Sequence, residues 1–242
     1  MHSSTGSSRP VAWVLPAGLL LAGGFLLRAL EPPPPAALRG EQLAVMAGQG
    51  GLPAVLGGLR PAVAGGLWLQ ANLAWERRDA EATAALLGLT VAADERPAYF
   101  WLNGARMLAY DVPEWLPAAA PAVVRRQVRE TQAQRALAFL AKGLRWHGPD
   151  ADLYVEQANI HLRRRGDLES AAHCYRLAAG QPGAPYYAAR LHANLLVELG
   201  RPREALAWLR QVLPTLPGDD PAARREVVQA RIREIEEELA GR

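Results

Sequence analysis

The sequence predicts an all-α fold: a solenoid of about four stacked helix pairs, closed by a C-terminal capping helix and preceded by an apolar N-terminal segment. Three observations predict it. The stretch 163–179, "RRRGDLESAAHCYRLAA", is answered 34 residues later by 197–212, "VELGRPREALAWLRQV", so that Gly166 corresponds to Gly200, Ala171 to Ala205, Tyr175 to Leu209 and Ala178 to Val212. Each copy reads helix, turn, helix: a glycine closes the turn, Asp167 or Pro202 opens the second helix, and small residues stand where the two helices meet. Lastly, 220–240 puts Val228, Ile232, Ile235 and Leu239 on one stripe among charges, as a solvated end helix does.

Taken in order, residues 1–30 are a polar tail and an apolar run. Val11 to Leu27 is 17 residues without a charge, about 25 Å as a helix against a bilayer core of about 30 Å. The expectation is a single-pass anchor in a bacterial inner membrane, membrane contact being made by 11–27, with the C-terminal repeats on the periplasmic side. The rival is a cleaved signal, but Arg28 to Glu31 and the four prolines behind them offer no small-x-small site. Residues 31–60 read as a Pro/Gly-rich linker with a short helix, in which "EPPPP" is a semi-rigid spacer.

The repeat domain spans 61–242. Its expected units are 64–97, 98–147 with an insertion at 111–130, 151–184 and 185–218, followed by the cap helix at 220–240. In the first, "LWLQANLAW" and "TAALLGLTVAA" flank the turn "ERRDAE". In the second, "PAYFWLNGARMLAY" is followed by "DVPEWLPAAAPAVVRRQVRE", three prolines among about twenty residues, and then by a helix expected from Pro121 to about Trp146.

A 34-residue helix-turn-helix period with these small and bulky positions resembles the tetratricopeptide repeat, over roughly residues 60–240. The segments "GGLR", "WERRD" and "YFWLNGARMLAYD" are similar to a group of bacterial membrane-anchored tetratricopeptide proteins with no established activity. The resemblance implies a right-handed superhelix and a scaffolding role that mediates protein–protein interaction, in the assembly or organisation of an envelope complex. It implies nothing catalytic.

Composition narrows the alternatives. Half of the 242 residues are hydrophobic, enough to bury a core. The net charge of +3 falls to +1 once residues 1–30 are set aside, since they hold Arg9 and Arg28 and no acid. So even a balance speaks against nucleic acid as a partner. A single cysteine, Cys174, excludes an intramolecular disulfide. After residue 30 the only serine is Ser170, and no G-x-S-x-G or G-x-x-x-x-G-K-[ST] occurs. The doubled glycines at 57–58 and 65–66 lack a following lysine. His147, His161, His173, His192 and Cys174 show no i, i+4 pairing suited to one metal. No cofactor, no metal and no catalytic residue is expected.

The candidate residues are therefore those of a binding surface. If first helices line a groove, it presents Glu156, Ile160, Arg163 and Arg164, then Tyr187, Arg190, Asn194 and Val197. Arg190 and Asn194 resemble half of a carboxylate clamp, and the arginine content suits acidic or carboxylate-bearing protein segments. A second surface is expected on the insertion: Trp115, placed between prolines where a repeat core cannot easily reach it, with Arg125, Arg126 and Arg129, for a partner or for self-association. The alternative is an exported enzyme or an enzyme's accessory domain, using groove Glu, His and Arg side chains on a small substrate. Convergence of those side chains in a closed pocket would favour it.

Overall fold

The computed structural model describes residues 59–241. The apolar run at 11–27 and the spacer that follows lie outside the described residues. Among the described residues the protein is all-helical, with nine α-helices and no strand. We number them α1 (Arg60–Glu76), α2 (Ala80–Ala93), α3 (Ala98–Arg106), α4 (Ala122–His147), α5 (Ala151–Ile160), α6 (Leu168–Ala179), α7 (Tyr187–Glu198), α8 (Pro202–Val212) and α9 (Arg225–Ala240).

Local sequence explains the helix starts. Asp79, Asp150 and Asp167 each stand just before a helix, and each side chain accepts a hydrogen bond from a first-turn amide, of Ala82 (3.0 Å), Leu153 (2.9 Å) and Ser170 (3.0 Å). Such caps satisfy donors that have no partner inside the helix and are worth about 1 kcal/mol apiece. Pro61 and Pro202 occupy first-turn positions, where a missing N–H costs nothing. The turns before α6 and α8 pass through Gly166 (φ 65°) and Gly200 (φ 75°), a left-handed backbone that a Cβ would oppose. The matching turn before α2 uses Arg78 at φ 57° instead.

Each helix packs chiefly on its neighbours in sequence: α1 on α2, α3 on α4, α5 on α6, α6 on α7, α7 on α8 and α8 on α9. The one notable addition is α3 against α5. Three cores follow along the chain. The first gathers Leu87, Trp101, Phe139, Leu140, Leu153 and Ile160 from α2 to α5. Tyr175 anchors the second, among α5, α6 and α7. Leu209, Val228 and Ile235 anchor the third, among α7, α8 and α9.

Alanine at 171, 178 and 205 is fully buried, which is how these helices come close enough to share a core.

α3 and α4 approach each other even more closely. A Cβ on Gly104 would stand 2.9 Å from Phe139, and one on Gly143 would stand 3.0 Å from Trp101. Trp101 cannot easily yield, since its indole N–H donates to the Glu95 carbonyl (2.9 Å) and its ring lies 4.9 Å from that of Phe139.

The insertion is not a free loop. α3 runs on through a π-helical turn (Met107–Asp111) into a 3-10 turn (Val112–Trp115) whose Val112 and Pro113 are buried. Its second half is already the start of α4. α5 likewise ends in a π-helical turn, His161–Arg165. Widened turns of this kind interrupt the regular angular spacing of side chains and recur at functional sites.

Candidate functional site

The two π turns and the N-terminal half of α4 meet, and arginines from both halves of the meeting line one cleft of about 760 Å³. Its walls carry Arg125, Arg126 and Arg129 from α4 and Arg164 and Arg165 from the turn after α5, with Glu130 as the acid between them. The cleft thus joins the three arginines expected on the second surface to one residue of the expected groove, Arg164.

The arginines are held in different ways. Arg125 donates to the Ala118 and Ala120 carbonyls and so ties the end of the insertion to the first turn of α4. Glu114, on the 3-10 turn, accepts through one oxygen from both Arg129 (3.4 Å) and Arg164 (3.3 Å). Arg164 also donates to the Tyr110 carbonyl (3.1 Å), and its guanidinium lies 4.6 Å above the Tyr110 ring. Its Nε is buried with no hydrogen-bond partner. Arg165 donates to Glu130 (3.0 Å). Arg126 and, just outside the cleft, Arg163 are exposed, and neither has an ion-pair partner among the described residues.

Next to Tyr110, on which Arg164 rests, is a buried acid. Glu156 is 2 % exposed and accepts from Arg106 of α3 at 2.8 Å. The Tyr110 hydroxyl, close by, is pushed up to about 12 by burial and then by the negative charge of Glu156.

These facts reassign several residues of the expected groove. Ile160 is fully buried in the first core and Glu156 is enclosed by its ion pair, so neither offers a surface to a partner. The cause is the contact between α3 and α5, which covers that face. Arg164 does line the cleft, while Arg163 is exposed outside it.

The α7 residues lie elsewhere. Tyr187 is 44 % exposed, Asn194 is exposed and Val197 packs half-buried on the third core. Arg190 donates to the Ala223 carbonyl (3.1 Å), which ties it to the approach to α9, and burial lowers its pKa. Arg190 and Asn194 line a smaller cleft of about 250 Å³ with Val227, Arg231 and Glu234.

Trp115, expected to be exposed, is half-buried, because the 3-10 turn that carries it packs against α4. Sequence reasoning missed Arg106, Tyr110, Glu114, Glu130 and Arg165. The run of three arginines at 163–165 could have signalled the last of these. Glu114 had no signal, since its two partners lie 15 and 50 residues away.

Among the described residues no group of three or more His, Cys, Asp and Glu side chains is placed to hold a metal, and no helix is long and apolar enough to cross a membrane. Compared with family models, with curated proteins and with solved structures, the chain matches none.

Proposed function

We propose that this protein is a membrane-tethered scaffold of the tetratricopeptide kind, a right-handed solenoid of about four helix pairs with a capping helix, whose arginine cleft takes an acidic segment of a protein partner. The apolar run at 11–27 would anchor it, with the repeats outside the cytoplasm. The reading is carried by one observation: five arginines from stretches some 35 residues apart line one open cleft against a single lining acid. Guanidinium groups present planar paired donors that match carboxylates, and a cluster of them in excess of acids attracts such a ligand from a distance. Sequential packing of helices and the 34-residue correspondence support the solenoid reading.

The test is fluorescence anisotropy with a labelled Asp/Glu-rich peptide and a Gln/Asn-rich control of equal length, added to the full chain in detergent. The acidic peptide should bind, and the control should not. Affinity should fall with added salt, as it does for charge-steered contacts. Arg126→Glu with Arg163→Glu should weaken binding by about tenfold or more, roughly 1.4 kcal/mol, with melting temperature kept. Equal binding of both peptides, or indifference to charge reversal, would overturn the reading.

A further inference from the structure

α4 serves two clefts. Besides the arginine cleft at its N-terminal half, a second cleft of about 320 Å³ opens between α2 and its C-terminal half, and the two share no lining residue. Arg126 and Trp146 are twenty residues apart on α4, about 30 Å at 1.5 Å per residue. The floor of the second cleft is apolar and fixed. Val91 (7 % exposed), Trp101 (2 %) and Phe139 (9 %) line it. The Trp101 indole is held in place by its bond to the Glu95 carbonyl and by the neighbouring Phe139 ring.

Two residues on the walls of this cleft have no explanation in the packing of the chain itself. Trp146 lines it and is 64 % exposed. An indole left this open beside an apolar floor is the arrangement from which binding anchors are made. Gly88 lines it from within α2, where glycine is the least favourable residue other than proline. At Gly104 and Gly143 a close neighbour accounts for the missing side chain, but no atom stands within 4 Å of where a Cβ on Gly88 would lie. What its absence leaves is room in the cleft.

Charge indicates the occupant. Lys142 and Arg145 line the cleft and no acid does. Arg145 bonds only to the Ala141 carbonyl one turn back (3.3 Å), and Lys142 has no hydrogen-bond or ion-pair partner among the described residues. We propose that this cleft docks an acidic segment of a protein partner. One aromatic or large aliphatic side chain of that segment lies over Val91, Trp101 and Phe139 against Trp146, and its carboxylates face Lys142 and Arg145. The size suits a single anchoring side chain, being at the lower limit of the roughly 300–1,000 Å³ of clefts that enclose whole small ligands. This site is separate from the arginine cleft and does not depend on what that cleft binds.

The experiment titrates two labelled Asp/Glu-rich peptides into the full chain in detergent, one with a single central phenylalanine and its twin with serine there. The phenylalanine peptide should bind about tenfold or more tighter, in the native chain and equally in the chain carrying Arg126→Glu and Arg163→Glu. Gly88→Leu puts a side chain into the cleft and should erase that preference with melting temperature kept or raised. Trp146→Ala, at an exposed position, should weaken the phenylalanine peptide even if the leucine disturbs α2. Lys142→Gln with Arg145→Gln should weaken it too and flatten its dependence on salt. Equal affinity for the two peptides would overturn the proposal. So would a preference that survives both Gly88→Leu and Trp146→Ala, or one that vanishes when Arg126 and Arg163 are reversed, which would place the anchor in the arginine cleft. Self-association of the chain alone that Trp146→Ala abolishes would assign the cleft to a second copy. Loss of the preference in anionic nanodiscs would assign it to lipid, and either result would likewise overturn the proposal.

Discussion

Removing the Arg106 guanidinium leaves the buried Glu156 carboxylate without its ion-pair partner. A buried charged acceptor without its partner costs more than the net worth of the bond it made. Because the Arg106 side chain is itself half-exposed, the loss is at the lower end for such pairs. We expect Arg106→Ala to cost about 1–3 kcal/mol, read by urea denaturation, and Glu156→Gln in the same background to recover most of it. Absence of that recovery would show that Arg106 acts by packing alone. Glu114 supplies the opposite kind of test, because it holds Arg129 and Arg164 from within the chain. Under the proposed reading Glu114→Gln releases two arginines to an acidic ligand, so peptide affinity should rise by about threefold or more with little change in stability. A fall in affinity would mean that Glu114 shapes the cleft instead of competing for it. These residues also mark how far the sequence could be read. Glu156, Ile160, Arg163 and Arg164 share one helical face by spacing. Whether that face meets water or another helix is decided by a contact spanning 50 residues, which periodicity does not encode.

At the level of elements, the turns and caps were legible because their chemistry is local. A glycine with positive φ or an aspartate ahead of a helix carries its reason within four residues. The long second helix of the interrupted unit, expected from Pro121 to about Trp146, is α4, Ala122–His147. The first half of the insertion was not legible, because burial of Val112 and Pro113 depends on where α4 lies. Nor did the sequence reveal that α3 and α4 meet through glycines. That contact is tested by Gly143→Ala. Alanine gains about 1 kcal/mol in helix propensity, but its Cβ would press on a Trp101 ring fixed by its hydrogen bond and by Phe139. Overpacking costs roughly 1–3 kcal/mol, so the net effect should be destabilising, with a fall in melting temperature of a few degrees. A rise would show that Trp101 can move aside.

Over the described residues as a whole, His192 and His161 set the response to mild acid. His192 is buried on α7, its Nδ1 lies 2.8 Å from the Ala172 carbonyl, and its ring meets Trp208 edge-on at 4.8 Å. That contact requires Nδ1 to be the donor, which leaves Nε2 unprotonated in the neutral ring. Burial, aided by nearby Arg176 and Arg201, holds its pKa below the ordinary value, although the Ala172 bond and Glu204 act the other way. His161 is also held low, chiefly by burial, with Asp167 opposing. In both cases the unfolded chain takes up a proton near pH 6.5 while the native chain resists it. Unfolding therefore binds protons below that pH, and stability is complete above it and declines as the pH falls. The acids Asp94, Asp167 and Glu204 have pKa values held down by hydrogen bonds, from Arg96, Ser170 and Arg201 respectively. Their contributions persist until the solution is more acidic than an ordinary carboxylate, near pH 4. The interval from about pH 6.5 to 5 belongs to His192 and His161. Circular dichroism melts should show the midpoint falling across that interval, and His192→Gln, which keeps a donor for the Ala172 carbonyl, should flatten the fall even if its midpoint at pH 7.5 is lower. An unchanged slope would remove His192 from the response and leave His161, whose Nδ1 lies 3.4 Å from the Asp167 carboxylate and so links the turn after α5 to the start of α6.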